Sequence, residues 1–446
     1  MNRARSDSEL LAAAREVLDE NWIGRSTIPA SGLYPHQWSW DSAFIAIGRS
    51  WADQGRAQAE LESLLSAQWD DGRIPHIVFN PDVLPDAYFP GSSFWRSGEL
   101  ARAAGTTETS GLVQPPLHAQ AALEVYRNAQ DRIEALAFLR RVYPGLGRWH
   151  RYLLEARDAA GIGLSAILHP WESGLDNSPA WEDALAGVDI PDGALPLYER
   201  RDLVRANPAD RPSDAAYDRF VYLADAYRRL GYDDARICAM SPFVIVGPLV
   251  NALLIWSSLA MAEMAVLVGD DPTPHRRAAS TVRAAMSKHL WDAGHRRFYS
   301  RNLRAGALLR EASILSFMPL VDPQLRKEHA QGIVSDLEAS SFHAPEDAEH
   351  YLVPSYDLTS AQFDPRRYWR GPVWINTDWL IWRGLEQHGQ SALAQHVADS
   401  MLALVRKSGF REYFDPFSGA GYGADRFSWT AALIIDVIER RRATPG

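Results

Sequence analysis

The chain has 446 residues, 46% of them hydrophobic, with 16 Trp and a formal net charge of −10. That length suffices for one large domain or two ordinary ones. The acidic balance, with no block of Lys or Arg, argues against nucleic acid or an anionic membrane as the main partner. A single cysteine, Cys238, excludes an intrachain disulfide and a cysteine-based zinc site.

In chain order the signal is helical. Residues 8–19 are amphipathic, with Leu10, Leu11, Ala14 and Leu18 on one side. Segments 41–51 and 56–69 read as a helix pair. Gln114-Pro115-Pro116 reads as the first turn of a helix running to residue 129. Segment 132–157 reads as one or two helices with a break near Pro144-Gly145. Ser213-Asp214 starts a helix to Leu230, and an apolar helix spans 248–268. The apolar stretch 244–268 is interrupted by Gly247, Pro248, Asn251, Ser257, Ser258 and Glu263, and reads as a buried core helix rather than a membrane span. Further helices are expected at 274–290, 311–318, 324–338, 374–388, 391–405 and 428–440. Strand signals are short: 73–80, 297–300 and 412–414. No Gly-rich phosphate loop follows a strand, which speaks against dinucleotide and P-loop folds.

About a dozen helices joined by loops suggest an all-α fold, an (α/α)6 barrel, with long loops over one end forming the active site. Residues 1–446 are expected to form one catalytic domain, with loop insertions near 70–113, 159–212 and 339–373. Loops of such length in a compact domain usually carry function. The N-terminus turns at once into a charged amphipathic segment without an apolar signal region, so a cytoplasmic protein is expected. No metal-ligand spacing is evident, so no metal or cofactor is expected. A homo-oligomer is compatible with the sequence.

Four aromatic-rich loops could do chemistry. The first is Tyr34-Pro35-His36-Gln37-Trp38-Ser39-Trp40-Asp41-Ser42. There a carboxylate beside indoles could hold paired hydroxyls of a stacked sugar. Alternatively, Asp41 is a helix N-cap and the Trp residues are core. The second is His169-Pro170-Trp171-Glu172-Ser173-Gly174-Leu175-Asp176-Asn177-Ser178-Pro179-Ala180-Trp181. Its plain reading is a well-capped turn in which Glu172 and Asp176 satisfy backbone N–H groups. The third is Pro365-Arg366-Arg367-Tyr368-Trp369-Arg370-Gly371-Pro372-Val373-Trp374. The fourth, Phe410-Arg411-Glu412-Tyr413-Phe414-Asp415-Pro416 followed by Phe427-Ser428-Trp429-Thr430, again sets a carboxylate among aromatics. Together they suggest glycoside hydrolysis by two carboxyl groups. One must be protonated to donate to the leaving oxygen and one ionised to activate water or attack. Burial among aromatics raises a carboxyl pKa and suits the acid, whereas a more solvated carboxylate suits the base.

At these residues the chain resembles glycoside hydrolase family 63. Its signature blocks are matched by Trp171 to Pro179, by Tyr368-Trp369-Arg370-Gly371-Pro372-Val373-Trp374, and by Glu412-Tyr413-Phe414 with Phe427-Ser428-Trp429-Thr430-Ala431. The resemblance runs from about Tyr34 to the C-terminus. It implies an (α/α)6 barrel and inverting hydrolysis of an α-glycosidic bond, with Asp176 at the general-acid position and Glu412 at the general-base position. Glu172 and Asp415 are competing carboxylates beside them.

Within the family the chain is most similar to the bacterial glucosylglycerate and mannosylglycerate hydrolases, through Tyr34-Pro35-His36, Gln114-Pro115-Pro116 and Arg211-Pro212-Ser213-Asp214-Ala215-Ala216-Tyr217-Asp218. That likeness implies a small glycoside carrying a carboxylate as the ligand, with Arg211 and Tyr217 on the glycerate. A guanidinium grips a carboxylate through parallel charge-assisted hydrogen bonds. The competing reading pairs Arg211 with Asp214 or Asp218. Tyr34, Trp38, Trp40, Asp41, Trp171, Glu172, Gly174, Asn177, Tyr368, Trp369, Gly371 and Trp374 are expected around the sugar, with Tyr88 and Gln114 closing over it. One departure stands out: some glucosylglycerate hydrolases carry a glycerate-contacting Gln where this chain has Phe427. The sequence leaves open glucosyl against mannosyl preference and three rivals: an α-glucosidase for neutral glucosides such as kojibiose, an inverting phosphorylase, and an inactive sugar-binding protein.

Overall fold

Leu10, Leu11, Ala14, Val17 and Leu18 form one buried stripe on the first helix, α1 (Asp7–Glu20), behind a Ser6/Glu9 capping box. The computed structural model describes residues 5–84, 87–103, 105, 107–204, 207–339, 341–343 and 350–443. The other main helices, in order, are α2 (Ser39–Arg49), α3 (Gln54–Ser66), α4 (His118–Asn128), α5 (Arg132–Glu155), α6 (Asp214–Arg229), the short α7 (Asp234–Met240), α8 (Pro248–Val268), α9 (Thr273–His289), α10 (Lys327–Leu337), α11 (Ile375–Gln387), α12 (Ser391–Ser408) and α13 (Ser428–Ala443).

Six of these segments close an inner ring. Helix α13 packs on α2, α2 on α4, α4 on α8, α8 on the 3-10 segment Ile314–Val321, that segment on α11, and α11 on α13. Each has an outer partner: α1 on α13, α3 on α2, α5 on α4, α9 on α8, α10 on Ile314–Val321 and α12 on α11. This is the (α/α)6 barrel. Burial follows the layering: every residue of α2 is buried, whereas the outer α3 and α9 bury only a stripe. Helix α8 alone among the described residues is long and apolar enough to cross a membrane. Here it is an inner helix, capped by Pro248 at its start and Gly269 at its end, with 83% of its most apolar window buried.

Three local expectations are corrected. Helix α5 runs unbroken through Pro144. The carbonyl that Pro144 leaves without a partner belongs to Arg140, on the exposed face where water can serve it. Pro115 and Pro116 lie ahead of α4 rather than in its first turn. The segment expected at 311–318 is a 3-10 helix over Ile314–Val321 with Pro319 inside it. Helix α7 had no sequence expectation, being short and without a period that sets it apart from loop, and Ile245–Val246, at the head of the apolar stretch read as a buried helix, is a strand instead.

The loops that frame one end of the ring are pinned by small antiparallel sheets. Gln37–Trp38 pairs with Ile77–Val78, fixing Trp38 at the entry to α2. Ala166–Ile167, Ile245–Val246, Ser300–Asn302 and Ala307–Leu309 form a four-stranded sheet, from whose first strand the 168–178 loop hangs. Tyr413–Phe414 pairs with Gly421–Tyr422, and Phe414 also bridges to Val373. That bridge draws the 368–374 and 410–414 loops together.

Candidate active site

These loops enclose a cavity of about 300 Å³. Asp41, Asp176, Asp202, Arg211 and Glu412 line it, with Tyr34, Trp38, Trp40, Tyr88, Trp171, Tyr217, Tyr368, Trp369 and Trp429 as its aromatic wall. Gln114 and Gly174 complete the set of sequence-expected residues that reach it. A small apolar-walled cleft with a few convergent charges suits a sugar-sized ligand.

Asp176 and Glu412 differ in how they are held. Glu412 is buried. It accepts hydrogen bonds from the Tyr34 hydroxyl (2.8 Å), the Tyr368 hydroxyl (3.4 Å) and the Ala424 N–H (2.9 Å). Burial pushes its carboxyl up, while Arg211 and these three donors pull toward the ionised form. Asp176 is only partly exposed, and its carboxylate accepts no hydrogen bond from any other described residue. Burial, reinforced by the charges of Glu412 and Asp202, pushes it up to about 7 against the opposing pull of Arg211. Hydrogen-bond donors therefore favour the charged form of Glu412 against a burial that still leaves its carboxyl raised, whereas Asp176 has no such donors and is raised to about 7. The expectation that solvation would distinguish the base is corrected: Glu412 is the more buried of the two, and hydrogen-bond donors rather than water favour its charge.

Space around both loops is tight. Gly174 ends the 3-10 turn Pro170–Ser173 at φ 73°, and a Cβ there would sit 2.3 Å from the Trp40 ring. Gly423 has φ 68°, and its Cβ would fall 2.3 Å from Glu412 Oε2. We expect Gly174→Ala to cost about 2–4 kcal/mol from overpacking plus left-handed strain, read as a lowered urea midpoint.

Arg211 does not pair with Asp214 or Asp218, which are taken by Arg200 (2.9 Å) and the Tyr198 hydroxyl (2.7 Å). Its Nε donates to Asp202 (3.2 Å), its Nη1 to the Tyr34 hydroxyl (3.1 Å), and the guanidinium lies 4.5 Å from the Tyr368 ring centroid. Nη2 donates to no described residue. Burial works to raise the Asp202 carboxyl, but Arg200 and Arg211 outweigh it and hold Asp202 below its ordinary value. Asp202 had no sequence expectation. The cluster Glu199-Arg200-Arg201-Asp202 was the available signal, and it reads as a solvated charge run until Arg211 is seen beside it. Tyr217 stacks on Tyr198 (5.7 Å, 26°) under Arg200.

Asp41 is not an N-cap. Trp38 precedes α2, and the buried Asp41 carboxylate faces the cavity with no hydrogen bond from another described residue. Burial, with Glu412 and Glu60 nearby, pushes it well above its ordinary value. Gln114 accepts from the Trp40 backbone N–H (3.0 Å).

Four expected sugar contacts stand behind the cavity wall instead. Trp374 stacks on Trp369 (3.8 Å, 7°) and donates its indole N–H to the Tyr368 carbonyl. Gly371 is packed against Asp364 and Phe363. Glu172 is locked in a bidentate pair with Arg157 (2.6 and 2.7 Å), and the Asn177 amide oxygen accepts from the Trp369 N–H (2.9 Å). Of the competing carboxylates, Glu172 is thus consumed by Arg157, and Asp415 caps the 417–418 turn. Their side chains are spent on protein partners, as a sequence pattern could not reveal.

Residues 34–430 match the mannosylglycerate hydrolase MGH1-like glycoside hydrolase domain. A mannosylglycerate hydrolase from Rubrobacter radiotolerans is 41% identical over 96% of this chain and 97% of its own length. A glucosylglycerate hydrolase from Mycolicibacterium hassiacum is 36% identical over 96% of this chain and 97% of its own. A crystal structure of a family 63 mannosylglycerate hydrolase from Thermus thermophilus, in complex with Tris and D-glycerate, superposes with a TM-score of 0.88 at 40% identity, covering 96% of this chain and 99% of that one. With a ring of six helix pairs, a carboxyl-lined cavity at one end and this extent of matching sequence, the chain belongs to the MGH1-like family of glycoside hydrolases.

Proposed function

We propose that this enzyme hydrolyses the α-glycosidic bond of a hexosyl glycerate, mannosyl- or glucosylglycerate, with inversion. The observation that carries the reading is a single cavity lined by two carboxyls, one bound by three hydrogen-bond donors and one by none, and by a guanidinium with an unused donor edge. The hexose sits against Trp38, Trp40 and Trp369, with Asp41 accepting from its hydroxyls. Asp176 gives its proton to the glycosidic oxygen as the bond from that oxygen to C1 breaks. Glu412 takes a proton from the water whose oxygen bonds to C1 from the opposite face. Arg211 and Tyr217 hold the glycerate carboxylate. Three donors favour the charge of Glu412 against burial, which an idle binding site or a phosphate-using enzyme would not require. The relatives' names bracket the sugar, gluco or manno, and a cytoplasmic location goes with this reading.

The test is a panel of α-mannosylglycerate, α-glucosylglycerate and kojibiose, with the first-formed hexose followed by proton NMR. Release of the β-anomer from a glycerate glycoside, with kojibiose cleaved far more slowly, is the expected result. Initial release of the α-anomer would overturn inversion, and equal turnover of kojibiose would overturn glycerate as the leaving group.

A further inference from the structure

Asp176 projects from a loop whose flanking residues are each fastened to another part of the site. On its N-terminal side, Glu172 is buried and surrounded by donors: Arg157 Nη1 (2.6 Å) and Nη2 (2.7 Å), the Leu168 N–H (2.8 Å) and the Val113 N–H (3.4 Å). Val113 precedes Gln114, which holds the Trp40 backbone. On its C-terminal side, Asn177 accepts from the Trp369 N–H at 2.9 Å. Trp369 follows Tyr368, whose hydroxyl bonds to Glu412. A short path therefore runs from the residue after one carboxyl, through one backbone hydrogen bond, to a ligand of the other. The Asn177 Nδ2 is buried with no partner among the described residues, so only the oxygen of this amide serves the path.

We propose that Asn177 is a positioning residue that sets where Asp176 stands relative to Glu412, with the Glu172–Arg157 pair as the fixed point on the other flank. This rests on the assignment of Asp176 as the proton donor. The clamp matters only for steps in which that proton moves. A displaced acid cannot protonate the glycosidic oxygen, and misplacement by about 1 Å can cost about 100-fold. A fluoride leaving group departs from C1 without needing a proton, so a glycosyl fluoride bypasses the acid.

The experiment measures kcat and KM of wild type, Asn177→Ala, Asn177→Asp and Asp176→Asn on the glycerate glycoside and on the α-glycosyl fluoride of the same hexose, with melting curves. The expected result for Asn177→Ala is a fall of about 10–100-fold in kcat on the glycoside, KM within a factor of two to three, and near-wild-type turnover of the fluoride. Asn177→Asp keeps an oxygen for the Trp369 N–H and recovers most of that loss. Its added carboxylate also moves the alkaline limb of the pH profile upward. Full activity of Asn177→Ala on the glycoside, or equal losses on both substrates, overturns the clamp. If Asn177→Ala fails to fold, Asn177→Asp together with Glu172→Gln decides: loss on both substrates, or no change in the pH limb of Asn177→Asp, overturns it. Asp176→Asn is the separate control. Should it lose as much on the fluoride as on the glycoside, the assignment of the acid fails rather than the clamp.

Discussion

Asp176→Asn and Glu412→Gln should each lower kcat on the glycerate glycoside by about 10²–10⁴-fold while leaving the melting temperature close to wild type. Both changes preserve shape and remove only the ability to give or take the proton. Wild-type-like turnover in either variant would remove that residue from the mechanism. The same pair sets the pH dependence. Burial raises the Asp176 carboxyl to about 7, so its protonated, donating form is full well below that pH and is lost as pH rises through it. Glu412 acts when ionised, so activity is lost as pH falls through its own raised value. The profile of kcat/KM is expected to be a bell with its alkaline limb near 7. Asp176→Asn should abolish the alkaline limb in what activity remains. A limb that persisted unchanged would assign it to another group.

Arg211→Ala should raise KM for glycerate glycosides by about 30- to 1000-fold, the range for losing a charge-assisted contact in a closed site. The loss on a neutral α-glucoside should be much smaller, and equal losses would remove the carboxylate contact. The pH profile gives a second signature. Arg211 favours ionisation of both Asp176 and Glu412, so its removal raises both carboxyls. The whole bell should then move to higher pH, with the alkaline and acid limbs shifting in the same direction. A bell that stayed in place would mean that solvent screens the guanidinium from the reacting groups.

How far the site could be read in advance depended on the kind of side chain. Asp176, Glu412 and Arg211 reach the cavity because loops bounded by Pro and Gly hold aromatics and charges off the helical faces, and the bland partners for Arg211 on the helix that follows it are occupied. Glu172 and Asn177 carried the same local signal, being polar residues in the same loop. They point instead to Arg157 and Trp369, from chain segments 15 and 192 residues away. Trp374 and Trp369 are alike in composition and spacing, yet the stack they form leaves only Trp369 at the cavity surface.

The fold divides the same way. Amphipathic periodicity in α1, α6 and α12 and the apolar run of α8, with Ser or Pro at their starts and Gly269 and Gly409 closing α8 and α12, were settled within each segment by backbone propensity and side-chain burial, both local properties. The closing of six segments into a ring required the whole chain, because an inner helix is recognised by what covers its second face. So did the contrast between two carboxyls of one chemical kind. The hydroxyls of Tyr34 and Tyr368 and the N–H of Ala424 converge on Glu412 and pass Asp176 by. The field at a titrating group sums over neighbours in space, and adjacency in sequence supplies only a few of them.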